Sequence, residues 1–221
     1  MRRLKAIIGV AVLLAGMGNV LASEGGKLKE VKFEASNEAR QRGAETVIYT
    51  CMLCHSLKYV RFNDLTDIGM TKEQIEALLD DQKIEDRMLS VTPVEVRKES
   101  YGKVPPDLSL MAIARKNGPS YIYTLLTSFY YREDGEADNH LFPGIKMPDA
   151  LGYSDTKEGS ADRAEIEAQA RDLVSFLTWA ADPNAETRRS TGVYVMVYLI
   201  ILTALLYLLK RRIWARVHKA K

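Results

Sequence analysis

The chain has 221 residues, 47% hydrophobic and 27% charged, which is enough for one domain with a sizeable core plus appendages and too apolar for a disordered chain. Its net charge of +2 is unevenly spread: residues 1–22 hold three basic and no acidic side chains, residues 23–190 hold 22 and 29, and residues 191–221 hold six and none. Basic ends beside apolar runs, around an acidic middle, are the layout of a membrane-oriented protein and not of a nucleic-acid binder.

Arg2, Arg3 and Lys5 precede a mostly apolar stretch from Ala6 to Ala15, then small residues with Val20-Leu21-Ala22 as a cleavage site. Residues 1–22 therefore read as a secretory signal peptide, with the mature chain starting at Ser23. A retained anchor is the alternative, but Gly16, Gly18 and Asn19 interrupt the run before it reaches the roughly 20 apolar residues a bilayer span needs.

Ser36 is placed to cap a helix from Asn37 to about Tyr49. Its inner face of Ala39, Gly43, Ala44, Val47 and Ile48 is small enough to let another helix cross closely. Directly after it comes Cys51-Met52-Leu53-Cys54-His55, around which the rest of the chain is organised. A Cys-x-x-Cys-His run spaces two thiols for thioether bonds to the two vinyl groups of one haem and presents the next imidazole to its iron, so it is an attachment signal for c-type haem. A redox dithiol or half a zinc site could use the same two cysteines, but zinc takes about four ligands and the chain has only two cysteines. With both in one motif no disulfide framework is available, and stability must come from packing and the cofactor.

Thr71-Lys72-Glu73-Gln74 is a capping box ahead of Ile75, Leu78 and Leu79, a short helix with one apolar face. From Asp80 to Lys103 the pattern weakens to charges and a few β-branched residues, consistent with irregular structure or a short hairpin. Asp107, after Pro105-Pro106, is a candidate N-cap for a helix that places Leu108, Met111, Ala112 and Arg115 on one side. Arg115 either snorkels to water or meets a haem propionate, a carboxylate that a buried haem must neutralise. Pro119 suits the first turn of a helix running to about Tyr131, with Ile122, Leu125, Leu126 and Phe129 inward.

Residues 133–172 hold 11 acids and four bases, which accounts for the whole negative excess of the head. Such a run is usually a solvated face, but its concentration also suits long-range steering of a basic partner. Within it, Asp138 to Pro148 is a loop by its Pro and Gly content. A sixth iron ligand could come from Met70, Met88, Met111, Met147 or His140. Met147, in a Pro-flanked loop that can be held over a haem face, ranks first and His140 next.

Ala161 to Ala181 puts Ile166, Ala170, Leu173, Val174 and Leu177 on one helix face, which should pack across the first helix. Asp182 to Ser190 reads as a short polar connector. Val193 to Leu209 is then 17 apolar or hydroxyl-bearing residues, followed by Lys210, Arg211, Arg212, Arg216, Lys219 and Lys221. With snorkelling basic flanks this suffices for one transmembrane helix, and the positive-inside rule makes the tail cytoplasmic. The expected organisation is a signal peptide over 1–22, a haem domain over 23–190 outside the membrane, a transmembrane helix over 191–209 and a basic tail over 210–221.

Several stretches together resemble the cytochrome c1 family in its bacterial form: Cys51-Met52-Leu53-Cys54-His55-Ser56-Leu57-Lys58-Tyr59-Val60-Arg61; Pro105-Pro106-Asp107-Leu108-Ser109; Tyr121-Ile122-Tyr123-Thr124-Leu125-Leu126-Thr127; and Phe142-Pro143-Gly144 leading to Met147-Pro148, with a C-terminal anchor. The resemblance implies a mainly α, cytochrome c-like haem domain with one C-terminal transmembrane helix, carrying one covalent haem c. It assigns Cys51 and Cys54 to the thioethers, His55 to the proximal and Met147 to the distal iron ligand, and Arg115 and Tyr121 to the haem propionates. It implies an electron-transfer subunit of the cytochrome bc1 complex, placed in a bacterial inner membrane with its haem domain periplasmic. It would take electrons from a Rieske iron-sulfur protein beside cytochrome b and pass them to a soluble cytochrome c. One departure is Ser100-Tyr101-Gly102, where the family often has asparagine, which leaves a haem contact from that loop in question. The rival readings are a free-standing membrane-anchored c-type cytochrome and a haem enzyme with an open sixth site.

Overall fold

A computed structural model describes residues 27–219. The expected signal peptide, its cleavage site and the last two residues of the basic tail lie outside the described residues. The chain is mainly α, as the sequence implies.

The head is built on two helices that cross. Helix α1 (Asn37–Tyr49) starts at Ser36, whose hydroxyl accepts a 3.2 Å bond from the Ala39 amide, satisfying one of the orphan donors of the first turn. Helix α6 (Ala161–Ala181) is capped in the same way by Ser160. They meet at Gly43, so closely that a Cβ there would lie 2.2 Å from the Asp172 carbonyl oxygen. The small face of α1 (Ala39, Ala44, Val47) and the large face of α6 (Leu173, Val174, Phe176, Leu177) are buried around this crossing. Arg42 closes its outer edge with bonds of 2.6 and 3.0 Å to Asp172.

Between these helices the chain makes the attachment turn, a 3-10 turn at Cys51–Leu53, and then strand β1 (Leu57–Arg61). A second 3-10 segment, Phe62–Ile68, buries Phe62, Leu65 and Ile68. Helix α2 (Lys72–Glu76) carries the expected capping box, with Thr71 and Gln74 each bonding the other's amide. The interval from Asp80 to Lys103 is more ordered than its sequence suggests. Strand β2 (Arg87–Met88) pairs antiparallel with β1, and Val94–Tyr101 forms helix α3. The single buried residue of α3 is Arg97. An apolar-periodicity test has nothing to detect in such a helix.

Two expected helices are shorter than their patterns. Asp107 does not cap a helix; its carboxylate accepts from the Lys58 and Ser109 amides, both at 3.0 Å, and so ties the Pro-Pro loop to β1. The following helix α4 is only Met111–Ala114, and Arg115 lies just beyond it in extended backbone. Helix α5 (Gly118–Leu126) has its proline in the first turn as expected but stops at Thr127. Phe129–Tyr131 is instead strand β3, paired antiparallel with β4 (Ala137–Asn139), Phe129 facing Asn139. Phe129 is buried on either account.

Helix α7 (Ala185–Lys219) begins within the expected polar connector, leaving Asp182–Asn184 as the break after α6. Its 35 residues reach about 52 Å at 1.5 Å per residue. It is long and apolar enough to cross a membrane, and its most apolar window is not buried against the head. At the helix base Arg188 bonds Asp182 in the preceding break at 2.6 Å, and the exposed Glu186 lies 3.9 Å from Arg40 of α1.

Candidate haem site

The attachment motif is held from three directions. The Cys54 and His55 amides both donate to the Cys51 carbonyl, at 3.0 and 2.8 Å, which curls the motif into one tight turn continuous with α1. Ser90, just past β2, donates through its hydroxyl to the Leu53 carbonyl at 3.0 Å, and its amide donates to the Ser56 hydroxyl at 2.9 Å. Arg97, buried in α3, donates to the Cys54 carbonyl at 2.9 Å.

His55 is oriented by a 2.7 Å hydrogen bond between its Nδ1 and the Pro106 carbonyl. A carbonyl can only accept, so Nδ1 carries the proton and Nε2 is left as the lone-pair nitrogen, the arrangement that orients imidazoles toward metals. Burial holds the His55 pKa below the ordinary imidazole value, partly opposed by the Pro106 bond. The ring is therefore neutral at pH 7, the form that can donate to iron. Burial pushes the Cys51 thiol up to about 12, with the neighbouring Cys54 adding to the shift. Cys51 and Cys54 are free thiols, and among the described residues no group of three or more His, Cys, Asp or Glu side chains could hold a metal ion. Two cysteine side chains on one tight turn and one oriented neutral imidazole fit a covalently held porphyrin.

The segment before the Pro-Pro pair also approaches the loop that contains Phe142. Lys103 places its Nζ 5.8 Å from the centroid of the Phe142 ring. Met147 is partly buried and packs on the core. Of the other candidates, Met70 and Met88 are buried core residues, Met111 is partly buried against the same core as Met147, and His140 stacks on Tyr130 with centroids 4.0 Å apart and planes 7° from parallel. Arg115 and Tyr121, which sequence periodicity does not link, come together as a pair with the guanidinium carbon 5.2 Å from the ring centroid. Arg115 is exposed and Tyr121 half-buried.

Three contributors were invisible in the pattern. Arg97 sits in an unrecognised helix, and the Pro106 group is a backbone carbonyl. The third is Tyr101, whose hydroxyl lies 3.3 Å from the Cys54 sulfur, which raises the Tyr101 pKa through that hydrogen bond. The Ser100-Tyr101-Gly102 segment, which is the end of α3 and its cap and where the family often has asparagine, therefore touches the attachment motif through Tyr101. The acidic stretch is less uniform than its composition suggests, since Arg132 bonds Asp134 and Glu136 at 2.9 and 2.7 Å.

The sequence matches the Cytochrome C1 family over residues 29–95 and 82–217. It is 32% identical to cytochrome c1 of Allochromatium vinosum over 97% of this chain and 99% of that one. It is 28% identical to cytochrome c1 of Rhodospirillum rubrum over 95% and 96%. It is also 31% identical to a Nitrosomonas europaea chain named ammonia monooxygenase gamma subunit, over 99% and 100%. The oriented imidazole, the paired thiols and a family match that runs from the N-terminal segment into the apolar helix agree, and the chain belongs to the cytochrome c1 family, in its bacterial form.

Proposed function

We propose that the chain is the haem-bearing subunit of a ubiquinol-cytochrome c reductase (cytochrome bc1) complex, taking electrons from a Rieske iron-sulfur protein and passing them to a soluble cytochrome c. In this reading Cys51 and Cys54 would hold one haem c covalently, His55 and Met147 would ligate its iron, and Arg115 and Tyr121 would meet its propionates. The observation that carries it is the His55 to Pro106 hydrogen bond, which fixes the tautomer and leaves Nε2 as the nitrogen with the lone pair. A c-type haem with histidine and methionine ligands supplies a one-electron couple with no open coordination position.

The protein's part is to hold and to place. Ser90 and Arg97 immobilise the carbonyls of the attachment turn. Arg115 brings a permanent cation that a carboxylate can pair with. The short break at Asp182–Asn184 between α6 and α7 keeps the head close to the membrane, favouring a fixed subunit beside cytochrome b over a tethered, wandering carrier. Lys210, Arg211, Arg212 and Arg216 put the C-terminus in the cytoplasm and the head in the periplasm.

Replacement of Met147 by leucine is the direct test. It should abolish the methionine-to-iron charge-transfer band, lower the midpoint potential and let carbon monoxide bind. An unchanged spectrum transfers the ligand role elsewhere. Purification from detergent-solubilised membranes should bring down cytochrome b and a Rieske protein. Recovery with monooxygenase subunits, as the name of the Nitrosomonas relative would suggest, or recovery alone, would refute the assignment.

A further inference from the structure

Between β4 and Met147 the chain has no regular structure, yet its path is fixed by two adjacent side chains. Asn139 is fully buried, at 0% exposure. Its Oδ1 accepts from the Leu141 amide at 2.9 Å and the Phe142 amide at 3.3 Å, closing an Asx turn. Its Nδ2 donates to the Leu125 carbonyl at 2.8 Å. That last bond crosses to the C-terminal turn of α5, the helix that carries Tyr121. One amide thus ties the start of the methionine loop to the helix bearing a proposed propionate contact.

Asp138 continues the construction. One carboxylate oxygen accepts from the Asn139 and Gly144 amides, both at 2.8 Å. Gly144 has φ +75°, and the Ile145 amide donates to the Phe142 carbonyl at 3.2 Å. A proline followed by a residue at positive φ inside such a bond is the pattern of a type II turn, which selects glycine at that position. Each bend from Asn139 to Ile145 is therefore set, and Met147 lies two residues beyond the last one.

We propose that Asn139 is a positioning residue for the Met147 sulfur: its amide, with Asp138 bracing the turn behind it, fixes the course of the loop that would present this thioether to the iron. This rests on the reading of Met147 as the distal ligand. A thioether is a weak, neutral donor, so its bond persists only while the loop presents it without strain.

The test uses the full chain, matured with haem in a competent host, and compares N139A, N139D, M147L and, as a stability control, S36A. The readouts are the charge-transfer band of the ferric protein, carbon monoxide binding to the ferrous protein, and the melting temperature. N139A should lose most of the band and bind carbon monoxide roughly 10- to 100-fold more readily, the usual cost of removing a partner that orients a ligand. N139D keeps an acceptor for Leu141 and Phe142 but sets a carboxylate oxygen against the Leu125 carbonyl, so its band should also weaken; it decides the matter if N139A fails to accumulate. S36A should melt earlier and keep the full band, showing that lost stability alone does not release the ligand. If both Asn139 variants keep a full band while M147L loses it, the positioning role is wrong. If M147L keeps the band, the ligand assignment falls, and the proposal with it.

Discussion

Gly43→Ala is the substitution whose cost can be worked most directly from the structure. The added Cβ would lie 2.2 Å from the Asp172 carbonyl oxygen, 2.7 Å from its carbonyl carbon and 2.8 Å from the Phe176 Cβ. Carbon contacts are comfortable at about 3.5 Å or more, so α1 and α6 must part by about 1 Å. The obstacle is backbone, which cannot rotate away. Overpacking of this kind costs about 1–3 kcal/mol and occasionally more, and a clash with main chain belongs at the upper end. Alanine's better helix propensity returns about 1 kcal/mol, leaving a net loss of about 2–3 kcal/mol. At about 2–4 °C per kcal/mol for a chain of this size, the melting temperature should fall by roughly 4–12 °C. The assay is a thermal melt of the haem-loaded chain in detergent, followed by far-ultraviolet circular dichroism and by the haem absorbance. Helix propensity alone would raise the melting point. An unchanged or raised value would show that the two helices are not in contact at Gly43, and the scaffold described for the attachment turn would be wrong.

Ser36→Ala removes the cap of the same helix and should cost about 1 kcal/mol in the same melt, with no change in spectrum; a neutral result would mean the α1 start is fixed by other contacts. Asp138 gives a pH signature. Hydrogen bonds from the Asn139 and Gly144 amides hold its carboxyl below the usual range. A folded-state pKa lowered in this way contributes stability at pH values above the unfolded carboxyl's, about 3.9, and that stability is lost as pH falls through the folded value. Asp138→Asn should therefore melt below the parent at neutral pH, and the gap should close as pH drops below about 4; a gap constant from pH 7 to 3 would contradict the assignment. Glu133, Glu158 and Glu165 are exposed, and changing all three to glutamine should slow reduction of a basic cytochrome c several-fold at low ionic strength and flatten the salt dependence. Unchanged rates in stopped-flow would make the lobe a solvated surface only.

The sequence by itself determined the parts whose signal is local. The Cys51 to His55 spacing states the cofactor chemistry in five residues. Ser36, Thr71 and Gln74 announce helix starts because a cap acts within one turn, and α6 is legible because its apolar residues repeat with the helix period. The apolar run from Val193 to Leu209 needs only length and flanking charge to be read.

What the tertiary structure decided was everything that depends on residues distant in sequence. Helix α3 is hidden because its one buried residue is Arg97, whose place is set by the Cys54 carbonyl 43 positions away. Asp107 reads as a cap but is drawn off by the Lys58 amide, and α5 stops at Thr127 because Phe129–Tyr131 finds a strand partner. That the core takes up the Met70 and Met88 side chains depends on packing, and the His55 tautomer depends on a carbonyl 51 residues downstream. Caps, helix periods and attachment spacing are satisfied within a few residues of chain. A buried donor or acceptor must find its partner wherever packing leaves one, and only the folded chain shows where that is.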